Sequence, residues 1–185
     1  MNAGQFASRF ILTPLSGPPP ATGSARAAAV LVPVVEHRAG LSVLFTTRAA
    51  HLRHHPGQIS FPGGRIEPGE HSAQAALREA EEEIGLTADK VRLLGALPEH
   101  NTSTGFTIAP WVGLLTPPQH WQLQPDEVSD IFEVPLSYFL DKRNRHHITL
   151  PLHGQRHNVY FMPYQDKFIW GATAAILQQL CLHIG

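Results

Sequence analysis

A glutamate-rich amphipathic segment is the feature that most constrains what this chain can fold into. In GGRIEPGEHSAQAALREAEEEIGL, residues 63–86, four glutamates fall within five positions near the end. With about 100° per residue, one arc of a helix contains the apolar residues Ala73, Ala76, Leu77, Ala80 and Ile84. We therefore predict a helix that ends at Gly85 and whose small alanines allow close packing on a sheet.

Three of the glutamates lie beside that apolar face. Glu79, Glu82 and Glu83 occupy a second arc, so their carboxylates can converge at the edge of the core. One interpretation is a solvated acidic face. Repulsion between like charges and the negative end of the helix dipole both disfavour it. The second interpretation, which the pattern favours, is a site for a hard divalent cation, Mg²⁺ or Mn²⁺.

The loop before this helix supports the second interpretation. Gly63, Gly64 and Gly69 permit close backbone approach to a ligand, although glycines of this kind also occur in ordinary turns. Glu70, at the end of the loop, can reach back towards the carboxylates. Arg78 can orient a glutamate through a forked ion pair.

The whole chain limits the classes of function. Its 185 residues suffice for one domain. The 14 basic and 15 acidic residues leave no broad basic field for a long nucleic acid. No apolar run of about 20 residues and no signal-peptide pattern is present. Cys181 is the only cysteine, which favours a cytoplasmic protein. The 12 histidines lack metal-binding spacing, so surface polarity is favoured over metal ligation.

The remaining pattern predicts one layered domain. Residues 1–25 are predicted to be an irregular, Pro/Gly-rich lead-in, and residues 26–185 the domain. Strands are predicted in AAAVLVPVV, LSVLFTTR, VRLLGAL, FTIAPWVGLL, HITLPL and NVYFMPY, with a short one near the end of HLRHHPGQISFPGG. The first two strands and the last two are predicted to form hairpins, and GATAAILQQLCLHI to form a helix. This mixture indicates an α/β or α+β fold.

The glutamate segment resembles the sequence motif of the Nudix hydrolases. That motif is Gly, five residues, Glu, seven residues, Arg-Glu, an apolar residue, any residue, Glu-Glu, any residue, Gly and an apolar residue. The matching positions are Gly64, Glu70, Arg78, Glu79, Ala80, Glu82, Glu83, Gly85 and Leu86. The resemblance implies an αβα sandwich with a mixed β-sheet and a loop–helix–loop catalytic element. It also implies hydrolysis of a nucleoside diphosphate linked to another group.

A second pattern is similar to the signature of the coenzyme A pyrophosphatase-type members. LFTTRAAHLRHHPGQISFPGG matches it at Leu44, Thr46, Arg48, Ala49, Arg53, Gly57 and residues 61–64, with Phe45 in place of the usual leucine. IWGATA, residues 169–174, also looks like this subfamily. The resemblance implies cleavage of coenzyme A or acyl-coenzyme A to 3′,5′-ADP and 4′-phosphopantetheine or its acyl form.

The resemblance and the residues together suggest individual roles. We expect Glu79 and Glu83 to be the principal metal ligands, with Glu82 sharing a second ion or bound water. We expect Glu70 to lie outside the metal's direct ligands. Glu82 is the first choice for the general base, and Glu127 is the alternative. We assign Arg48, Arg53, Gly63 and Gly64 to substrate binding and Arg78 to the catalytic group, while surface solvation is the alternative for each substrate arginine.

Two competing functions stay open at this point. One is a Nudix hydrolase of another nucleotide, such as NADH, ADP-ribose, a nucleotide sugar, a dinucleotide or a nucleoside triphosphate. The other is a binding module without catalysis, which the intact glutamates disfavour. We expect a small-molecule nucleotide as the binding partner, no membrane association, and we also consider a homodimer.

Overall fold

The computed structural model describes residues 1–14, 26–52, 55–117, 120–152 and 155–185. Its helices are α1 (Ala3–Leu12), α2 (Ser72–Ile84), α3 (Leu136–Leu140) and α4 (Gly171–Ile184). Its strands are β1 (Arg26–His37), β2 (Gly40–Arg48), β3 (Ile59–Ser60), β4 (Gly63–Arg65), β5 (Val91–Ala96), β6 (His100–Asn101), β7 (Phe106–Leu115), β8 (Val128–Pro135), β9 (His146–Leu152), β10 (Gln155–Tyr164) and β11 (Lys167–Trp170). Both predicted hairpins, β1–β2 and β9–β10, are present.

A mixed sheet of eight described strands forms the centre. Its main order is β3-β2-β1-β7-β5, while β4 pairs with β1, β6 with β7 and β8 with β2. The β1–β7 pair is parallel, and the other pairs are antiparallel. A separate three-stranded sheet has the order β11-β10-β9.

Helices cover both faces of the large sheet, which confirms the predicted αβα sandwich. Strand β1 is buried on both sides because its apolar side chains alternate between the faces. Leu31 and Val35 pack with α2, whereas Val32 and Val34 belong to the core that includes α1 and α4. In the part of the chain described, the helices are all too short or too polar to cross a membrane.

The first twelve residues differ from the predicted irregular lead-in. Ala3–Leu12 form a helix that starts with a capping box between Asn2 and Gln5. Phe6 and Phe10 are 0% and 4% exposed, so this helix belongs to the core. The prediction was wrong here because the Pro/Gly-rich segment that follows, residues 14–25, was taken to represent the whole N-terminal region. Residues 15–25 lie outside the described residues, and a domain boundary at residue 25 stays a prediction.

Candidate active site

Helix α2 has well-defined ends that place its glutamates. At the start, Nδ1 of His71 accepts from the N–H of Ala73, and the N–H of His71 donates to Gln74. At the end, Gly85 adopts φ +71° and its N–H bonds to the last carbonyls. The buried face is rotated slightly from the prediction. Ala75, Ala76, Ala80, Glu83 and Ile84 are buried, while Ala73 and Leu77 are only half-buried.

The two glycines of β4 face opposite sides of the strand. A Cβ on Gly64 would overlap the carboxylate of Glu79. A Cβ on Gly63 would overlap the Ala29 carbonyl and the Cα of Val30 on β1. The N–H of Gly63 also donates to Oε2 of Glu83 at 3.3 Å. Both glycines are therefore needed for the close approach of β4 to its neighbours.

Arg78 holds three of the glutamates at once. Its Nε and Nη2 donate to the two oxygens of Glu70 at 2.9 and 3.1 Å, a forked pair as predicted. Its Nη1 donates to Glu79 at 2.9 Å and to Glu82 at 3.2 Å. Nη2 also donates to the carbonyl of Arg65 on β4. The hydrogen bonds to Glu70 lower the pKa of that carboxyl. Arg78 thus ties the loop, the strand and the helix together.

Glu83 is the most buried of the acidic residues. It is 4% exposed, and burial together with the charge of Glu79 raises its pKa to about 8. The Gly63 N–H and the positive charge of Arg48 oppose this shift. Burial also raises the pKa of Glu79, although Arg78 opposes the shift. Two carboxyls in such an environment favour a cation beside them.

The predicted convergence of three glutamates on one point is not found. Within the described ranges, no three Asp, Glu, His or Cys side chains are arranged together for a metal. Nη1 of Arg78 binds both Glu79 and Glu82, and the Glu82 side chain is 58% exposed, whereas Glu83 is buried. The chemistry of Glu79 and Glu83 nevertheless fits a hard divalent ion, because two neighbouring carboxylates supply oxygen ligands and negative charge in a poorly solvated place.

Glu127 approaches the same carboxyls from another element. The N–H of Gln124 donates to the carbonyl of Glu83 at 2.9 Å, which holds the segment before β8 against the end of α2. The N–H of Ala49 donates to the Glu127 carbonyl at 2.9 Å. The negative charge of Glu127 raises the pKa of both Glu79 and Glu83. It is therefore close enough to act on them electrostatically.

A cavity of about 390 Å³ lies next to the glycine strand. Gly63, Gly64 and Arg48 line it, and Nε of Arg48 is buried with no hydrogen-bond partner among the described residues. Gln58 and Phe61, just before the glycines, also line it. Other wall residues come from distant parts of the chain, namely Thr102, Phe106, Ile108, Trp170, Gly171, Thr173 and Ile176. The predicted substrate residue Arg53 lies outside the described residues. Sequence reasoning singled out IWGATA but did not assign its residues to a site, because only the fold brings the start of α4 to β4.

Comparisons with known proteins agree with this architecture. The NUDIX domain model matches residues 25–153, more than half of the chain. A protein of Photorhabdus laumondii named Uncharacterized Nudix hydrolase NudL is 42% identical over 185 residues, covering 100% of this chain and 98% of that protein. A protein of the same name from Salmonella paratyphi B is 43% identical over 161 residues, covering 86% and 83%.

Solved structures agree at the level of the fold. A MutT Nudix hydrolase from Burkholderia pseudomallei aligns with a TM-score of 0.52 and 18% identity, covering 85% of this chain and 98% of that one. An Ap4A hydrolase from C. elegans aligns with a TM-score of 0.52 and 24% identity, covering 60% and 80%. With the family match and the arrangement of the Arg78–glutamate cluster, we conclude that the chain belongs to the Nudix family and is a pyrophosphohydrolase.

Proposed function

We propose that the enzyme hydrolyses the diphosphate of coenzyme A or acyl-coenzyme A. The observation that carries this proposal is the composition of the cavity wall. Arg48, Gln58 and Phe61 come from the segment that resembles the coenzyme A signature. Trp170 and Thr173 come from IWGATA, the other segment with that resemblance. Two segments more than 100 residues apart thus line one cavity beside Gly63 and Gly64, which supports a shared role in recognising this substrate.

Hydrolysis adds one water across the P–O–P bridge. The water oxygen bonds to one phosphorus while the bridging oxygen leaves with the other, giving 3′,5′-ADP and (acyl-)4′-phosphopantetheine. A bound Mg²⁺ or Mn²⁺ would neutralise the diphosphate and make the water more acidic. Glu79 and Glu83 would hold the ion, while Arg78 keeps Glu79 oriented through their hydrogen bond. Arg48 would bind a diphosphate oxygen, which its place in the cavity wall and its unpaired Nε among the described residues support.

The proton acceptor is Glu82 or Glu127. Glu82 is the choice from sequence, but Arg78 already binds one of its oxygens. Glu127 has no cationic partner within the described ranges, and its charge reaches the carboxyls of both Glu79 and Glu83. Glu82→Gln and Glu127→Gln, compared over a pH series, distinguish them. The variant that lacks the base should lose kcat and the acidic limb of the pH–rate profile, with metal affinity retained.

The assignment of substrate is tested by product analysis. Coenzyme A, NADH and ADP-ribose are incubated in parallel with enzyme and Mn²⁺, with and without chelator, and the products are identified by mass spectrometry. We expect 3′,5′-ADP from coenzyme A, formed only with metal. Faster turnover of NADH or ADP-ribose would instead identify a Nudix hydrolase of another nucleotide. No turnover of any substrate would indicate a binding module.

Two further predictions concern the protein in the cell. A cytoplasmic location remains a prediction that rests on the single cysteine, Cys181. A homodimer also remains a prediction, and the mass of the native protein by light scattering tests it.

A further inference from the structure

Two arginines lie close to one aromatic ring at the rim of the cavity. The guanidinium carbon of Arg26 lies 5.6 Å from the ring centroid of Phe106, and that of Arg65 lies 5.9 Å from it. Both distances are within the usual reach of about 6 Å for a cation–π contact. Phe106 is half-buried and forms part of the cavity wall, whereas both arginines are exposed.

The register of three strands places this group. Arg26 on β1 is aligned with Phe106 on β7, and Arg65 on β4 is aligned with Ala28 on β1. Aligned residues, and residues two apart on a strand, share a face of the sheet. Arg26, Arg65 and Phe106 therefore share the face of Ala28, which lines the cavity.

The two rim arginines take no part in the ion pairs of the glutamate cluster. The glutamates around β4 pair with Arg78, and neither Arg26 nor Arg65 forms an ion pair with an acidic side chain in the described parts of the chain. Two cations beside one ring repel each other, and an anion bound to both would reverse the sign of that interaction. Guanidinium groups suit phosphate because they present parallel N–H donors.

We propose that Arg26 and Arg65, fixed by Phe106, form a second anion site for a phosphate monoester that the substrate carries outside its diphosphate. The proposal rests on the proposed function, since coenzyme A carries a 3′-phosphate of this kind. This site and Arg48 bind different phosphate groups of the substrate. Arg48 lines the cavity together with Gly63, whose N–H donates to Glu83, so it serves the diphosphate, whereas the two rim arginines select the peripheral phosphate.

The kinetic test compares coenzyme A with dephospho-coenzyme A, which lacks the 3′-phosphate. The double variant Arg26→Ala/Arg65→Ala should reduce the ratio of the two kcat/KM values roughly ten- to a hundredfold, mainly through KM for coenzyme A. The double Arg→Lys variant should restore part of the ratio, because it keeps the charge but not the fork. Arg92→Ala is the matched control, since Arg92 is exposed on β5 and outside the cavity wall. An unchanged ratio in the double Ala variant overturns the proposal.

A binding test separates this proposal from the proposed function. Calorimetry without metal compares 3′,5′-ADP with 5′-AMP on the wild-type enzyme and the double Ala variant. We expect the wild type to bind the bisphosphate more tightly and the variant to lose that difference. Equal affinities for the wild type overturn the anion site. If the wild type turns over neither coenzyme A nor its dephospho form, the proposed function fails, and the binding comparison still decides the role of the arginines.

Discussion

The side chain of Glu83 is buried, with 4% of the residue exposed. Among the described residues, its carboxylate accepts one hydrogen bond, from the N–H of Gly63. Burying a carboxylate with so few partners is unfavourable unless a cation accompanies it. Glu79 adds a second carboxyl whose pKa is also raised. These two side chains therefore have a cost in stability that a divalent ion would offset.

We expect Glu83→Gln and Glu79→Gln each to lower kcat/KM by roughly a hundredfold or more, because each removes a charged oxygen ligand. Above about pH 8, where Glu83 is ionised, stability without metal should stay level or rise, since repulsion between the neighbouring carboxylates disappears. Turnover at saturating Mn²⁺ and thermal unfolding with chelator measure the two effects. Near-normal turnover would remove that residue from the metal site, and a large loss of metal-free stability would make it a structural residue.

The raised pKa of Glu83 also predicts a pH dependence of stability. The folded protein keeps the proton up to about pH 8, whereas the unfolded chain releases it near the ordinary value of 4.5. The stabilising effect is complete below 4.5 and is lost as the pH rises through 8. Without metal, wild-type stability should therefore fall relative to Glu83→Gln between these values. Denaturant melts at several pH values measure this, and parallel curves for the two proteins would contradict it.

At the scale of elements, the two adjacent glycines of β4 have different neighbours. Gly63 packs against the backbone of β1, and Gly64 packs against the carboxylate of Glu79. Gly63→Ala places a methyl group against the backbone of β1, which cannot move easily. We expect it to lower the free energy of unfolding by about 1–3 kcal/mol. The atoms nearest to a methyl group in Gly64→Ala belong to the side-chain carboxylate of Glu79 and not to backbone, so the fold should survive while turnover falls at least tenfold. Circular dichroism melts and initial rates of both variants make the comparison, and equal destabilisation would refute it.

Local patterns account for the elements that the sequence predicted. Helix α2, the short strand β3 and both hairpins have periodicity or turn signals of their own, and Gly85 marks a helix end. Gly63 and Gly64 were assigned to a loop, but they form β4, which its pairing with β1 defines. Helix α1 had a signal in the capping pair Asn2 and Gln5, which the neighbouring prolines obscured. Strand β8 was missed because VSDIFEVP lacks regular alternation, and its pairing with β2 defines it instead. The sharing of Arg78 by three glutamates depends on tertiary contacts, so residue spacing cannot give it.

At the scale of the whole molecule, α1 packs against α4, so the first helix of the chain contacts the last. Nη1 of Arg9 donates to the carbonyl of Ile184 at 3.0 Å, and His183 lies 2.8 Å from the carbonyl of Phe10. Phe6 and Phe10 belong to the same core as α4, whose first residues line the cavity. The helix thus packs at the C-terminal end of α4, and the opposite end of α4 lines the cavity.

We expect Phe6→Ala to destabilise the protein by about 3–5 kcal/mol, because it leaves a cavity in this core. Leu12→Ala is the control on the same helix, since Leu12 is 79% exposed and its loss should change stability by less than about 0.5 kcal/mol. Urea unfolding curves of the two variants test this. Similar midpoints for both would show that α1 is not part of the cooperative core.

The parallel pairing of β1 with β7 has a consequence for how the chain folds. Arg26 is aligned with Phe106, so the centre of the sheet forms only after a long intervening segment has been closed into a loop. The β1–β2 hairpin can form early because its partners are close in sequence. During synthesis, β1 emerges well before β7. The edge of β1 that pairs with β7 therefore stays unpaired until β7 has left the ribosome. Contacts of such high sequence separation place the folding of this enzyme towards the slow, millisecond-to-second range.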